Sequence, residues 1–280
     1  MIDKQTRRNF LQLAGAGAIM AGLKPTMATA QEKKTTNKAK FELGMASYTL
    51  RKFNLEQTIA MTKRLGLKYI CLKEFHLPLK SSKEEIEKAV AKVKDSGLVL
   101  YACGVIYMKT EADVTQAFEY AKNAGVKTIV GVPNPELLSL VEKKAAEYDI
   151  KVAVHNHGPE DKLYPSPASV YEKIKGLDKR IGLCIDIGHT QRSGIDPSQA
   201  AEKFADRLMD IHIKDVDAAT TDGKTIEMGR GVIDIVKFLK TLMAINFSGV
   251  TAFEYEKDET DPLPGAAESV GYTKGVLASI

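Results

Sequence analysis

Residues 150–157 read Ile150-Lys151-Val152-Ala153-Val154-His155-Asn156-His157, and residues 180–189 read Arg180-Ile181-Gly182-Leu183-Cys184-Ile185-Asp186-Ile187-Gly188-His189. Each is a short apolar run that closes on polar side chains able to bind a ligand. Alternation puts Val152 and Val154 on one face of the first run and Lys151, Ala153, His155 and His157 on the other, because successive side chains of a strand point to opposite sides. In the second run Leu183, Ile185 and Ile187 oppose Gly182, Cys184 and Asp186. Two later runs repeat the pattern: Ile211 and Ile213 oppose Asp210, His212 and Lys214, and Thr251 and Phe253 oppose Ala252, Glu254 and Glu256. One face suits packing under helices, while the other begins small or polar and ends in a candidate ligand. That second face reads as the lumen of a closed sheet.

Working outward, further strand-like runs occupy 42–47, 68–74, 98–104 and 127–132, beside 150–155, 180–187, 208–214 and 249–255. Helix-like segments lie between them, with apolar residues three and four apart, as in Leu55, Ile59, Met61 and Leu65 or Ile86, Val90 and Val93, the period of an amphipathic helix. Asn54 and the Ser82/Glu85 pair are helix starts, and Asp95-Ser96-Gly97 and Asn123-Ala124-Gly125 are stops. Eight strand and helix pairs at about thirty-residue spacing predict a single parallel (β/α)8 TIM barrel of the α/β class. No GxGxxG follows the first run and no phosphate-binding loop of the Walker type occurs, which excludes the usual dinucleotide and nucleotide signatures.

The ends set the boundaries. Residues 1–30 read as a twin-arginine signal peptide: Thr6-Arg7-Arg8-Asn9-Phe10-Leu11-Gln12, a mild apolar stretch from Leu13 to Leu23, then Ala28-Thr29-Ala30 as a cleavage site. The expected location is therefore the periplasm, with no stable membrane insertion because the stretch is short and rich in Gly and Ala. Residues 31–40 read as a flexible leader and 41–280 as the barrel. The chain has 40 basic and 36 acidic residues, of which the first thirty hold four basic and one acidic, so the remainder carries 36 against 35. A near-neutral surface argues against nucleic acid or anionic membrane as partner. Cys71, Cys103 and Cys184 sit inside separate apolar runs without thiolate-metal spacing and are expected as buried free thiols rather than a disulfide.

All five histidines, His76, His155, His157, His189 and His212, fall at or just beyond the end of a strand-like run, the edge at which parallel α/β proteins assemble sites. His155, Asp186, His212 and Glu254 come from four successive runs with shared parity. Two imidazoles and two carboxylates suit one divalent ion, Mn, Co, Mg or Zn, with positions left open. Taken singly, each is also readable as a hydrogen-bonded strand-end residue. Glu74 and His76 are candidate substrate-binding residues, alternatively solvated or capping. Arg192 is a candidate for an anionic or polyhydroxyl group, alternatively a solvated loop residue, Lys214 either stabilises an enolate oxygen or pairs with Asp215 or Asp186, and Glu160 and Asp161 read as loop acids rather than bases. Gly229-Arg230-Gly231 reads as a loop leading into a helix.

Val154-His155-Asn156-His157-Gly158, Gly182 to His189, Ile211-His212-Ile213-Lys214-Asp215 and Phe253-Glu254-Tyr255-Glu256 resemble the xylose-isomerase-like barrel superfamily, which includes sugar isomerases and epimerases, inosose dehydratases and endonuclease IV barrels. The resemblance covers nearly all of the barrel. It implies that Asp186, His212 and Glu254 are metal ligands and that His189 contacts substrate or a metal-bound water. In the epimerases the fifth-strand ligand is glutamate, and two glutamates act on opposite faces of the sugar; here His155 takes that place. The implied activity is proton removal next to a carbonyl of an unphosphorylated sugar or keto-glycoside by Glu254, His157 or His189, ending in isomerisation or β-elimination of the 3-keto-glycoside lyase type. The alternatives are a non-catalytic carbohydrate-binding barrel and an endonuclease IV-like nuclease, the latter disfavoured by the near-neutral charge and few histidines.

Overall fold

The computed structural model describes residues 39–280; residues 1–30, read above as a signal peptide, and most of the stretch read as a leader lie outside the described residues. Eight parallel strands close into a barrel: β1 (Glu42–Ala46), β2 (Tyr69–Leu72), β3 (Val99–Met108), β4 (Thr128–Pro133), β5 (Lys151–His155), β6 (Ile181–Asp186), β7 (Leu208–Ile213) and, after a small hairpin of β8 (Asp215–Val216) and β9 (Thr225–Ile226), β10 (Val250–Phe253). β10 pairs with both β7 and β1, which closes the ring. The (β/α)8 barrel expected from the alternating pattern is the observed fold. Helices α1 (Leu55–Arg64), α2 (Lys83–Asp95), α3 (Glu111–Asn123), α4 (Leu138–Tyr148), α5 (Pro167–Ile174), α6 (Ile187–Arg192), α7 (Pro197–Lys203), α8 (Ile235–Ala244) and α9 (Leu263–Ser279) complete the order.

Local chemistry explains the helix ends. Asn54 with Gln57 and Ser82 with Glu85 form reciprocal capping boxes, as do Thr110 with Asp113 and Ser166 with Ser169, satisfying amides that a helix start leaves unpaired. Gly97 and Gly125 end α2 and α3 at positive φ, 88° and 69°, a conformation that costs other residues a Cβ clash. No helix among the described residues is long and apolar enough to cross a membrane.

The strand faces divide as expected. Val152, Val154, Leu183, Ile185, Ile211 and Ile213 are buried in the main hydrophobic core, whereas Ala46, Val250 and Ala252 cluster with Tyr69 and Tyr101 in a separate group at the lower lumen. The pairing register sets Asp186 beside His212, with His155 beside Cys184 and Ala252 beside His212, so Asp186 and His212 finish at one level and His155 and Glu254 fall within two residues of it along their strands. The three cysteines are buried free thiols.

β2 corrects one reading. It ends at Leu72 and turns at once, so Glu74 is exposed and His76 is buried in the turn. His76 Nδ1 lies 3.0 Å from Ser47 Oγ and its Nε2 3.1 Å from Leu50 O. Both ring nitrogens are committed to the fold, and neither Glu74 nor His76 lines the cavity at the barrel mouth. The residue that does is Lys73, in register with Cys71 and Tyr69.

Candidate active site

Four side chains meet at the C-terminal mouth, each supplied by a strand end. His155 ends β5, Asp186 ends β6, His212 lies near the end of β7 and Glu254 directly follows β10. All are buried, and one ligand atom from each lies within 4.8 Å of every other. His155 Nε2 is 3.1 Å from His212 Nδ1 and 3.6 Å from Asp186 Oδ2, and His212 Nδ1 is 3.3 Å from Glu254 Oε2. Nitrogen and oxygen donors about 2.1 Å from one ion sit roughly 3.0–3.4 Å apart; the His155–His212 and His212–Glu254 spacings fall in that range and the His155–Asp186 spacing lies just above it.

The remaining atoms of these groups are fixed by neighbours. Asp186 Oδ1 caps α6 by accepting from His189 N at 2.8 Å, which leaves Oδ2 aimed into the cluster. Asn156 ties the ends of β5 and β6: its Oδ1 accepts from Asp186 N at 3.1 Å, and its Nδ2 donates to Thr190 Oγ1 at 3.3 Å. Below His212, Asp210 Oδ2 lies 3.9 Å from Nε2, and the carboxylate accepts from Tyr101 Oη at 3.2 Å. Among the described residues, the buried Asp186 Oδ2, which faces the cluster, lacks an aligned hydrogen-bond partner, as do His155 Nδ1 and His212 Nε2, the ring nitrogens turned away from it. A buried carboxylate oxygen in that condition is costly unless a ligand or ion completes it, and Asp186 Oδ2 with His155 Nε2, His212 Nδ1 and Glu254 Oε2 is a donor set that fits a divalent ion.

Lys214 dominates the electrostatics. Its Nζ lies 2.9 Å from Asp186 Oδ2 and 2.8 Å from Glu254 Oε2, and it also pairs with Glu256. The ion pair with Asp186 foreseen as an alternative is therefore present, and Asp215 is not its partner. Burial opposes the charges of Asp186 and Glu254, but Lys214 outweighs it and holds both carboxyls below their ordinary range. Burial likewise opposes the charge on His212, yet Glu254 and Asp210 carry its imidazole above the ordinary value.

Two more histidines line the mouth. Burial holds His157 and His189 neutral by lowering both from the ordinary imidazole value. Arg192 Nη1 lies 3.3 Å from His189 Nδ1; since arginine only donates, Nδ1 is the acceptor and the ring proton sits on Nε2. His157 Nε2 lies 3.1 Å from Tyr107 Oη, with the two rings stacked. Gly158, at φ 92°, passes close to His189: a Cβ there would lie 3.2 Å from Nδ1. Arg192 also donates to Thr221 O at 3.1 Å and pairs with Glu160. Glu160 is thereby a strut for Arg192, and Asp161 folds its own loop by accepting from Leu163 N and Tyr164 N.

An inner cavity of about 240 Å3 is lined by His155, His157, His189 and Glu254 together with Tyr48, Lys73, Val105, Tyr107 and Glu256. Sequence reasoning missed Lys73, whose Nζ donates to Val105 O at 2.8 Å. Burial lowers its ammonium from the ordinary lysine value. Tyr48, Phe75 and Tyr107 surround it, each ring centre within 5.5–6.0 Å of Nζ. A second cavity of about 650 Å3 adjoins the first and shares His189 and Glu256 with it.

The xylose isomerase-like TIM barrel family model matches residues 49–276. Among curated proteins, the chain is 25% identical over 152 residues to the rhizopine catabolism protein MocC of Rhizobium meliloti, covering 49% of this chain and 45% of that one. It is 26% identical over 177 residues to inosose dehydratase of Geobacillus kaustophilus, covering 53% of each. The chain thus spans about half the length of the curated relatives it matches. The solved structure of 3-keto-D-glucoside 4-epimerase YcjR from E. coli superposes with a TM-score of 0.69 over 84% of this chain and 99% of that one, at 17% identity, a likeness of fold.

Proposed function

Since the chain belongs to the xylose isomerase-like TIM barrel family, we propose that it is a metal-dependent carbohydrate enzyme that removes a proton next to a carbonyl of an unphosphorylated sugar or keto-glycoside. The observation that carries the reading is the convergence of His155, Asp186, His212 and Glu254 beside two neutral histidines in one cavity. A divalent ion held by those four groups, Mn, Co, Mg or Zn, supplies Lewis acidity to a carbonyl and a neighbouring hydroxyl.

The chain's own residues divide the remaining work. Glu254 is fully ionised by its cationic neighbours and is a weak base, so its contribution is charge. His157 is the base: its Nε2 is the basic nitrogen, released when the Tyr107 hydroxyl turns to a substrate oxygen. His189, protonated on Nε2, donates to the oxygen that must leave or become a hydroxyl. Lys73 places in the inner cavity a cation that has no carboxylate partner among the described residues, suited to negative charge developing on oxygen. That role passes to Lys73 because Lys214 is already committed to three carboxylates. Arg192 acts through His189, which it orients.

With His155 where the epimerases carry a glutamate, one face of the substrate has a free base, which favours isomerisation or β-elimination over two-base epimerisation. The curated relative named as a dehydratase and the structural neighbour named as a keto-glucoside epimerase lend support to sugar chemistry of this kind. Export by the twin-arginine route, readable only from residues 1–30, would bring the protein to free sugars and glycosides rather than sugar phosphates; cell fractionation with Arg7→Lys/Arg8→Lys tests it. The reaction is tested by incubating the metal-loaded protein with 3-keto-glycosides and free ketoses in deuterated water. Aglycone release or an isomer carrying deuterium is expected. Clean inversion with deuterium at the inverted carbon, and neither other product, would overturn the one-base reading.

A further inference from the structure

We infer that the outer cavity is a subsite for the second part of an uncharged sugar conjugate, so that the substrate is a glycoside with its reacting ring in the inner cavity and its aglycone or second ring in the outer one. This rests on the carbohydrate reading above and narrows it. The two cavities meet at His189 and Glu256. The inner one, at about 240 Å3, lies just below the span of about 300–1,000 Å3 typical of small-molecule pockets, and accommodates one ring. The outer one, at about 650 Å3, provides a second, larger compartment.

The outer wall is built. It is the β8–β9 hairpin, whose base is fastened by Asp215: this buried carboxylate accepts from the amides of Val216, Gly229, Gly231 and Ile233 at 2.9, 2.9, 3.0 and 3.2 Å. Asp217 and Lys224 close the turn through Asp217 N to Lys224 O at 3.0 Å and Lys224 N to Asp217 Oδ1 at 2.7 Å. Arg192 holds the tip through Thr221 O. A compartment fixed at base, turn and tip is a preformed receptor.

Its charge selects the guest. Arg192, Lys214, Lys224 and Lys257 line it, but Arg192 pairs with Glu160, Lys214 with three carboxylates and Lys257 with Glu227. Lys224 alone has no carboxylate partner among the described residues. Asp217, Asp222 and Glu256 add negative charge to the same wall. A phosphate is bound by free arginine forks or clustered cations, and those are spent here. Val216 and Ile226 give an apolar patch, and Thr221 and Thr225 contribute hydroxyls, a lining that suits a neutral ring.

The test compares solvent-deuterium uptake into 3-keto-D-glucose, 4-nitrophenyl 3-keto-β-D-glucoside and 3-keto-D-glucose 6-phosphate by the metal-loaded wild type, Thr221→Trp and Thr225→Trp. Thr221 is exposed on the hairpin, so its variant keeps the fold if the more enclosed Thr225 variant does not. The wild type is expected to favour the aryl glycoside over the single ring at least tenfold in kcat/KM, and the tryptophan variants to reduce that ratio at least tenfold. An unchanged ratio in folded variants, or preference for the phosphate, overturns the subsite; the first result would leave the aglycone on the aromatic rim of Tyr48, Phe75 and Tyr107. If none of the three exchanges deuterium, the catalytic reading fails, and saturation-transfer NMR with unoxidised 4-nitrophenyl β-D-glucoside then decides the subsite. Saturation transfer to the nitrophenyl protons that is seen with the wild type and abolished by Thr221→Trp upholds it; no binding to the wild type overturns it, as does transfer that Thr221→Trp leaves intact.

Discussion

Replacing Asp215 by alanine should detach the β8–β9 hairpin from the barrel rim. The carboxylate is fully buried and each oxygen accepts twice: Oδ1 from Val216 N and Ile233 N, Oδ2 from Gly229 N and Gly231 N. A hydrogen bond to a charged group contributes about 1.5–3 kcal/mol, so four would give an upper bound near 6–12 kcal/mol. Burial of the carboxylate offsets much of that, since it pushes the Asp215 carboxyl above its ordinary value even against the four bonds. Water reaching the exposed Gly229 amide recovers more. A net loss of about 3–4 kcal/mol is expected, within the range of broken buried networks. Asp215→Asn is informative because its amide group must face two N–H donors whichever way it turns; it should lose at least two bonds and about 2–3 kcal/mol. Urea unfolding followed by circular dichroism measures the loss, and limited proteolysis within 217–224 reports the hairpin. Asp215→Ala within about 1 kcal/mol of wild type, or Asp215→Asn at wild-type stability with an intact hairpin, would refute the reasoning.

Lys214→Met should bind Mn2+ at least about tenfold more tightly while turning over more slowly, because a unit charge some 4 Å from a divalent ion opposes it by up to about 8 kcal/mol at an effective dielectric of 20; calorimetry of the metal-stripped protein checks it, and weaker binding would count against a shared site. Glu227 accepts from Tyr255 Oη at 2.7 Å and Lys257 Nζ at 2.9 Å; burial opposes its charge, but these partners hold the carboxyl down at about 2. A folded value below the unfolded one stabilises the fold above about pH 4.3 and loses that contribution as pH falls toward 2, so Glu227→Gln should flatten the acid side of the melting profile and leave its slope unchanged above pH 5. The thiols of Cys71, Cys103 and Cys184 are buried and raised by burial, Cys103 to about 12. Ellman's reagent should titrate none in the native protein and all three after denaturation.

The barrel was legible because its strands alternate cleanly and its helices carry apolar residues at helical spacing, and the same parity that built β5, β6, β7 and β10 brought His155, Asp186, His212 and Glu254 together. Parity failed at β2. The run 68–74 suggested a strand continuing to Glu74, but the chain turns after Leu72, so the lumen face is Tyr69, Cys71 and Lys73 and the polar residues of opposite parity fall in the turn. His76 fitted the histidine pattern for a different reason: it fastens Ser47 and Leu50. The β8–β9 hairpin has two-residue strands, too short for any period to show. Gly229-Arg230-Gly231 looked like an ordinary loop because its meaning depends on a distant partner; a Cβ at Gly231 would lie 2.2 Å from Asp215 Oδ1. Lys214 was visible as a lumen residue, but whether it met substrate or carboxylates depended on the Glu256 and Asp186 side chains, which alternation alone does not place.

The central claim is that one divalent ion is held by His155, Asp186, His212 and Glu254. Titrating the metal-stripped protein with Mn2+ by calorimetry, beside the double variant Asp186→Asn/His212→Ala, tests it most directly. Asparagine at 186 keeps the oxygen that caps α6, so the variant should remain folded by circular dichroism. The account predicts one ion per chain for the wild type and no measurable binding at that site for the variant. An unchanged stoichiometry and affinity in the folded double variant would contradict it.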